Sequence, residues 1–254
     1  MRRLRPIKMR IDIFLAENGY AQSRTEAKNL INSGAVTVNG SIVTKPSYDV
    51  CGDETIAVSR ESQKYVSRGG FKLECAIRSF DFLIEGRLAL DVGASSGGFT
   101  DCLLKNGAKH VLAVDTGYGQ LSPMLLQDER VTSIENFNAR YMTPSDLPYT
   151  PEIAVMDVSF ISATYIIPAV YDCLAKDGDF ICLIKPQFEV GKSKVGKGGI
   201  VKDERARAAA VDKVVAFGEM TGFKCLGVVT SDITGGDGNT EFLAHFKKCG
   251  EGAK

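Results

Sequence analysis

The sequence predicts an α/β protein, in which a doubly wound, mainly parallel sheet is preceded by a small α+β unit. From residue 88 onward, short apolar runs alternate with helical segments, and the first run ends in a glycine-rich turn. The front of the chain differs, because two short helical patterns and a hairpin signal follow one another within residues 9–59. We therefore expect domains at residues 1–60 and 69–254, joined by a polar linker at 61–68.

The composition is that of an ordinary globular chain. Of 254 residues, 44% are hydrophobic and 24% are charged, which suits one large domain and a small one. Seven scattered cysteines without a C-x-x-C pair favour free thiols in a reducing cytoplasm over a disulfide framework or a zinc site. Asp12 and Glu17 interrupt the apolar run after the basic start, and no stretch approaches the roughly 20 apolar residues of a spanning helix. We therefore expect a cytoplasmic protein without a signal peptide or a membrane span.

The first 68 residues carry an excess of positive charge. They contain 11 Lys and Arg against 7 Asp and Glu, whereas the remainder of the chain contains 20 against 24. A basic front suggests contact with a polyanion, although ordinary solvated surface charge explains these counts equally well.

Two helices and a small sheet are predicted for this front unit. The first helix ends near Asn18, and Ser23 then caps a second helix with Glu26 as its capping-box partner. Arg24 and Lys28 lie one turn apart on the second helix and share a face. Strand segments follow at 35–38, 42–43 and 54–58, with the hairpin signal Asn39-Gly40 between the first two.

This arrangement resembles the S4 RNA-binding domain. The resemblance rests on R-I-D-x-F-L, S-R-T-E-A-x-x-L-I and G-x-V-x-V-N-G, which occur in that order from residue 9 to about 59. It implies that Arg10, Arg24, Lys28 and Lys45 contact RNA phosphates, with the module recognising RNA by shape. The alternative is a capping subdomain that binds nothing.

The large domain is predicted to begin with a helix at 71–82. Lys72 lies off the apolar stripe of that helix and close to its start, where the helix dipole disfavours a cation, so its position is a weak indication of function. A βαβ unit follows, with a strand at 88–91, a glycine turn at 93–98, a helix and a second strand at 111–114. The glycines allow close approach of a ligand, and Asp115 can accept hydrogen bonds from ribose hydroxyls.

The glycine turn fits one ligand class better than two others. A dinucleotide fingerprint is incomplete, because Ser95 stands where its second glycine belongs. A P-loop ending in Gly191-Lys192-Ser193 is also incomplete, because Pro186 replaces its first glycine. The observed D-x-G-x-x-x-G-G-aromatic pattern instead resembles the S-adenosylmethionine turn of class I methyltransferases. A turn that needs glycine only for tight packing is the alternative.

The rest of the chain continues the alternation of strands and helices. Strands are predicted at 131–134, 153–156, 179–184, 225–230 and 241–246, helices at 161–174 and 203–219, and a mobile glycine- and lysine-rich loop at 191–199. Asp91, Asp115, Asp157 and Lys185 fall at strand carboxyl ends, where ligands of such sheets bind, and Glu241 begins the last strand. Charges at Asp157 and Lys185 end consecutive apolar strands, where they are costly unless paired, and a partly desolvated lysine can serve as a base.

Five further segments belong together: SRGGFKL, LDVGASSGGFTD, MDVSFIS, LIKPQFE and GNTEF. In this order they resemble the TlyA family, which consists of ribosomal RNA 2′-O-methyltransferases with an S4 domain fused to an FtsJ-like methyltransferase domain. The resemblance implies a Lys-Asp-Lys-Glu tetrad at Lys72, Asp157, Lys185 and Glu241. Lys185 would be the base or an oriented donor, the two acids would place the lysines, and Lys72 would hold the hydroxyl or a nearby phosphate.

The same resemblance implies S-adenosyl-L-methionine as cofactor, bound by Gly93, Ser95, Gly97, Gly98, Phe99, Asp115, Asn138 and Asp157. Asn138 departs from the aspartate of many relatives, and Phe99 replaces a common tryptophan but preserves an aromatic wall. The chemistry requires no metal, and we expect His110 and His245, which lie in strand patterns, to be structural. Ribosomal RNA or ribosomal subunits are the implied partners, and the modified nucleotide is expected to be a cytidine.

Two rival functions come from other classes. A membrane-active hemolysin, suggested by the older family name hemolysin A, is disfavoured because the chain lacks a spanning segment and a strongly amphipathic basic helix. A non-catalytic RNA-binding or assembly factor is disfavoured because all four tetrad positions are retained. The sequence does not indicate which nucleotide or subunit is modified.

Overall fold

The structure is a computed structural model that describes residues 8–21, 23–59 and 64–249. The chain divides into two compact units, whose boundary lies between Arg68 and Gly69. Part of the predicted linker, residues 61–63, lies outside the described residues, and the domain limits at 60 and 69 stay predictions. No helix in the described ranges is long and apolar enough to cross a membrane.

The first unit contains the two predicted helices and two small sheets. Its elements are β1 (Met9–Arg10), α1 (Ile11–Glu17), α2 (Arg24–Asn32), β2 (Val36–Val38), β3 (Ser41–Ile42), β4 (Asp49–Val50) and β5 (Ile56–Val58). The strands pair antiparallel in the order β3-β2-β5, and β1 pairs with β4. The Ser23 Oγ accepts a hydrogen bond from the Glu26 backbone N–H at 3.1 Å, which confirms the predicted cap. Positive φ angles of 50° at Asn39 and 78° at Gly40 suit the predicted tight hairpin turn.

The second unit is a seven-stranded sheet with helices. Its elements are α3 (Gly69–Ser79), β6 (Leu88–Val92), α4 (Gly98–Lys105), β7 (His110–Val114), α5 (Pro123–Leu126), β8 (Val131–Ile134), β9 (Ile153–Met156), α6 (Ile167–Cys173), β10 (Asp179–Ile184), α7 (Pro186–Glu189), α8 (Glu204–Thr221), β11 (Phe223–Thr230) and β12 (Phe242–Lys248). The strand order is β11-β12-β10-β9-β6-β7-β8, and β12 runs antiparallel to the other six strands. Every residue of β9 and β10 is buried, as expected for central parallel strands. The predicted fold class is confirmed.

The strand order places a crevice beside β6. The chain passes from β6 through β7 and β8 toward one edge, and then returns to build β9 and β10 on the other side of β6. Ligands of doubly wound sheets bind at such a reversal, outside the carboxyl ends of the strands. Gly93 follows β6 and Asp157 follows β9, so both residues lie at this position.

Three predicted elements differ from the structure. The helix predicted at 161–174 is split into a 3₁₀ turn (Ala163–Tyr165) and α6, because Pro168 has no N–H to continue a helix and occupies the first turn of α6. The helix predicted at 71–82 ends at Ser79. Phe80 and Phe82 both place their rings 5.3 Å from the His245 ring, and residues two apart on a helix cannot face one side. The segment 191–199 contains two 3₁₀ turns, Lys192–Lys194 and Lys197–Gly199.

His245 belongs to a buried charge cluster at the amino end of β10. Its Nε2 lies 2.8 Å from Asp179 Oδ1, while Arg87 and Lys247 donate to Asp179 Oδ2 at 2.8 and 2.9 Å. Burial by itself raises the pKa of Asp179, but the bonds from His245, Arg87 and Lys247 outweigh it and hold the pKa well below its usual range. His110 Nε2 lies 2.8 Å from the Thr132 hydroxyl, so both histidines have structural contacts, as predicted.

Asp179→Asn is expected to lower the free energy of unfolding by about 3 kcal/mol at pH 7, because it leaves buried cationic partners uncompensated. A carboxyl with a depressed folded-state pKa stabilises the fold above its unfolded pKa, so this contribution declines as the pH falls below about 4. Urea unfolding of both proteins at pH 7 and at pH 3 to 4 measures the difference. A difference that stays constant over that range would contradict the assignment.

Candidate active site

The four predicted tetrad side chains form one row at the carboxyl edge of the sheet. Lys185 Nζ lies 2.5 Å from Asp157 Oδ1, Asp157 Oδ2 lies 3.9 Å from Lys72 Nζ, and Lys72 Nζ lies 2.6 Å from Glu241 Oε2. The two short contacts are ion pairs between a lysine ammonium and a carboxylate. Positive and negative groups alternate along the row, so each buried charge has an opposite neighbour.

Strand pairing explains why these residues meet. Asp157 and Lys185 follow the adjacent parallel strands β9 and β10, so both emerge at the same edge. Glu241 immediately precedes β12, and because that strand is antiparallel to β10, Phe242 pairs with Ile184 at this edge. Lys72 reaches the row from the buried face of α3.

The row is largely removed from water. The side chains of Lys72, Lys185 and Glu241 are 9%, 10% and 2% exposed, and that of Asp157 is 20% exposed. An unpaired ammonium at the position of Lys72 would be costly. Lys72 can occupy the unfavourable position near the start of its helix because it forms a buried ion pair with Glu241.

Two residues of the segment after Asp157 add to the site, Ser159 and Phe160, and neither was predicted as a site residue. Lys185 Nζ donates to the Ser159 hydroxyl at 2.8 Å, so the amine has two partners from one segment. Phe160 has a φ of 64° and is 92% exposed, with its ring 5.3 Å from that of Phe188. A positive φ is unusual for an exposed aromatic residue. The sequence signal that could have pointed to both residues is the MDVSFIS segment, which contains them.

A cavity of about 480 Å³ lies at the reversal of strand order and includes Asp157 in its wall. Its lining comprises Val92, Gly93, Ser95, Val114, Asp115, Thr116, Gln120, Phe137, Asn138, Ala139, Asp157, Val158, Ser159, Phe160, Ile161 and Ile166. Five of the predicted cofactor residues are in this set. Gly97, Gly98 and Phe99 are not, because Gly97 caps α4 and the Phe99 side chain is buried. The aromatic lining comes from Phe137 and Phe160.

The glycines of the turn have separate structural roles. Gly93 has a φ of 84°, and a Cβ at this position would lie 2.6 Å from the Asp157 carbonyl oxygen. Gly97 has a φ of 91°, and a Cβ there would lie 2.2 Å from Leu125 Cδ1. Tight packing therefore accounts for Gly97, whereas Gly93 also keeps the wall of the cavity open.

Asp115 is held in place by the turn that it faces. Its Oδ2 accepts from the Ser95 backbone N–H at 2.8 Å and its Oδ1 from that of Gly117 at 2.6 Å. The Asn138 Oδ1 accepts from the Arg140 backbone N–H at 3.1 Å, which orients its amide group beside the cavity. Both polar groups are thus held by backbone contacts.

Asp91 lies beneath the turn and does not line the cavity. Its Oδ2 accepts from the Thr100 hydroxyl at 2.7 Å, which connects β6 to the first turn of α4. Burial raises the pKa of Asp91 to about 7, with the Thr100 bond opposing the shift and the Asp157 charge adding to it. Within the described residues, no group of three or more His, Cys, Asp or Glu side chains is arranged to hold a metal ion.

Family comparisons agree with this geometry. The family model for FtsJ-like methyltransferases matches residues 65–248, and the S4 domain model matches residues 9–56. The chain belongs to the FtsJ-like methyltransferase family. The resemblance inferred from the five sequence segments is therefore confirmed.

Relatives of this FtsJ-like chain match it over most of its length. YqxC of Bacillus subtilis, named provisionally as an rRNA methyltransferase, is 45% identical over 96% of this chain and 88% of its own. The 16S/23S rRNA (cytidine-2′-O)-methyltransferase TlyA of Mycobacterium tuberculosis is 42% identical, over 93% and 88%. A solved structure from Streptococcus thermophilus, named as a hemolysin, has 41% identity and a TM-score of 0.76 over 97% of this chain and 90% of that chain.

In the S4 domain, the predicted RNA-binding residues fall into two groups. Arg10 and Arg24 each approach the buried Asp12 to 3.0 Å, so both arginines also stabilise the fold around α1. Lys28 and Lys45 are exposed. All four basic residues stay predictions as RNA contacts. The two arginines also have a structural role, which the described contacts do not give to the two lysines.

Proposed function

We propose that the protein is an S-adenosylmethionine-dependent 2′-O-methyltransferase that acts on ribosomal RNA, with a cytidine ribose as the acceptor. The position of Asp157 carries this proposal, because Asp157 both lines the cavity and contacts Lys185. A ligand in the cavity and a substrate hydroxyl at Lys185 would therefore be neighbours. The names of relatives such as TlyA supply the substrate class and favour a cytoplasmic location.

The cavity has suitable properties for the cofactor. Its volume of about 480 Å³ lies within the range of sites for ligands of this size. Asp115 offers carboxylate oxygens to the ribose hydroxyls, and Val114, Phe137 and Ile161 provide an apolar surface for the adenine ring. The cofactor supplies an electrophilic methyl group on a sulfonium, so the protein has to present a nucleophilic oxygen in line with it.

The tetrad can prepare that oxygen. A ribose 2′-hydroxyl is a weak nucleophile, and its proton has to be removed, or its oxygen oriented, as it attacks. In this proposal Lys185 accepts the proton or orients the hydroxyl, while Asp157 and Ser159 hold the Lys185 amine. Glu241 fixes Lys72, which interacts with the hydroxyl or with an adjacent phosphate.

Phe160 can hold the target nucleotide. Its exposed ring lies at the cavity wall beside Phe188, and single-stranded bases bind to such rings by stacking. Enzymes that modify a nucleotide commonly turn it out of its helix into a pocket. Stacking on Phe160 would bring the ribose toward Lys185.

The test is methyl transfer by the purified full chain. Small and large ribosomal subunits from cells that lack the gene are incubated with the protein and S-adenosylmethionine, and nucleosides are then analysed by mass spectrometry. We expect 2′-O-methylcytidine from at least one subunit. Cofactor binding without any methylated nucleoside would instead support the non-catalytic RNA-binding function.

Lys28→Ala is expected to weaken binding to ribosomal RNA and to reduce the slope of log affinity against log salt by about 1, because one phosphate contact is lost. The melting temperature should not change, since Lys28 is exposed. Fluorescence anisotropy at several salt concentrations measures the affinity. Arg24→Ala is the comparison, because it also removes a partner of buried Asp12 and should lower both affinity and melting temperature. An unchanged salt slope for Lys28→Ala would contradict the assignment.

A further inference from the structure

Glu189 is a buried carboxylate close to the candidate active site. Its side chain is 1% exposed, and three donors converge on it. Oε1 accepts from the Ala163 backbone N–H at 2.7 Å, and Oε2 accepts from the Ser162 hydroxyl at 2.6 Å and from Lys213 Nζ at 2.9 Å. Glu189 does not line the cavity and is not a member of the tetrad. Direct contact with a ligand therefore does not explain its burial.

Glu189 closes a ring of contacts around the reacting groups. One side of the ring is segment 185–189, which begins at Lys185 and ends at Glu189. The other side is segment 157–163, which begins at Asp157 and ends at Ala163. The Lys185–Asp157 pair joins the two segments at one end, and the Glu189 hydrogen bonds to Ser162 and Ala163 join them at the other.

The middle of the ring is also in contact, because the Phe160 and Phe188 rings lie 5.3 Å apart. Phe160 has a positive φ, which is unfavourable for a bulky residue and persists only when the surroundings fix it. The bonds to Ser162 and Ala163 fix the chain two and three residues after Phe160. The backbone between Asp157 and Ala163 is therefore constrained at both ends.

We propose that Glu189 is a positioning residue, which sets the geometry of Lys185, Asp157 and Phe160 by joining their two segments. This inference rests on the proposed methyltransferase function for its kinetic consequence. Glu189 would touch neither substrate nor cofactor. Misplacement of reacting groups by about 1 Å can reduce a rate by about a hundredfold, so a residue that acts only through others can have a large effect.

The contacts require a carboxylate at position 189. All three partners donate, and a carboxylate has acceptors alone. Glutamine has nearly the same shape, but its NH₂ group would face one of those donors. Glu189→Gln therefore removes the charge and one acceptor while leaving the packing volume almost unchanged.

For Glu189→Gln we expect kcat for methyl transfer to fall about ten- to a hundredfold, while KM for the ribosomal subunit stays within about twofold. Asp179→Asn is the matched control. It also removes a buried carboxylate with three partners, but at the opposite end of β10, so it should lower the melting temperature without lowering kcat. Both variants are compared at a temperature where each is fully folded.

Hydrogen exchange gives a readout that is independent of activity. In Glu189→Gln the amides of segment 157–163 should exchange faster than in the wild type, and in Asp179→Asn they should not. Ser162→Ala is a milder variant that keeps the Ala163 and Lys213 bonds of Glu189, so it covers the case in which Glu189→Gln does not fold. It should lower kcat in the same direction by a smaller factor.

The possible failures are distinguishable. Absence of methyl transfer by the wild type contradicts the proposed function. In that case, amide hydrogen exchange in segment 157–163 of Glu189→Gln still tests the positioning role. Wild-type activity together with an unchanged kcat in folded Glu189→Gln overturns the positioning role alone. Unchanged exchange in this segment, or an increase in KM with kcat preserved, overturns it as well.

Discussion

Lys185→Ala is expected to reduce methyl transfer to ribosomal RNA by about a thousandfold, because general acid–base groups contribute factors of this order. The Lys185 amine is held by Asp157 at 2.5 Å and by Ser159 at 2.8 Å, so no neighbouring amine in the row can take its place without breaking another pair. Lys72 is itself paired with Glu241 at 2.6 Å. The rate should therefore fall without compensation.

Single-turnover methyl transfer measures this loss. Calorimetry measures the affinity for S-adenosylmethionine, which should be nearly unchanged because Lys185 does not line the cavity. Lys176→Ala is a matched control. Lys176 is exposed and precedes β10, whereas Lys185 follows the other end of the same strand. A rate for Lys185→Ala within about tenfold of the wild-type rate would contradict its assignment as base or oriented donor.

Gly93→Ala is expected to produce the second large effect, a loss of cofactor affinity of at least about tenfold together with a decrease in unfolding free energy of about 3 kcal/mol. Two causes add. The φ of 84° is unfavourable for alanine, and the added methyl group would lie 2.6 Å from the Asp157 carbonyl oxygen. The segment that carries Asp157 would have to move away, and it forms part of both the cavity and the tetrad.

Gly86→Ala separates the two causes. Gly86 has a φ of 76°, but an added Cβ would meet nothing within 4 Å, and this residue lies outside the cavity lining. It should lower stability by about 1 kcal/mol, from the backbone conformation alone, with unchanged affinity. Chemical unfolding and calorimetry on both variants make the comparison. Equal effects of the two substitutions would show that the contact between Gly93 and Asp157 is unimportant.

The position of Asp157 explains why these substitutions should act on different parts of one site. Its backbone carbonyl packs against Gly93, its side chain pairs with Lys185 and approaches Lys72, and it lines the cavity. A change in the glycine turn is thus transmitted to the reacting groups through one residue. Cofactor affinity and rate are expected to fall together in Gly93→Ala, and to separate in Lys185→Ala.

Much of the fold could be predicted from local sequence because its causes are local. Short apolar runs predict strands, and the predicted strands at 131–134, 153–156 and 179–184 are found at those residues. The Ser23 cap and the Asn39-Gly40 hairpin depend on residues within a few positions of one another. The tetrad members were predicted from short segments shared with a known family. Strand pairing brings Asp157, Lys185 and Glu241 together, and Lys72 joins them from α3.

Other features depend on contacts between distant parts of the chain. The end of α3 at Ser79 follows from the packing of Phe80 and Phe82 on His245, more than 160 residues away in sequence. Phe99 was expected to form the aromatic wall of the cofactor site, but its ring is buried and Phe137 and Phe160 line the cavity. Glu189 was part of a recognised segment, yet its role as a contact between two segments was not visible there.

The sequence by itself determined the fold class and the family, and it predicted the residues that carry the chemistry, because periodicity, turn residues and short motifs are properties of neighbouring positions. Only the tertiary structure decided which charges neutralise one another, which aromatic residues face the cavity and which carboxylates are buried. The alternating row from Lys185 to Glu241 is one example. The physical reason is that the neighbours of a side chain decide whether its charge is paired and whether its ring is buried. In this protein those neighbours come from strands and helices that are far apart in sequence.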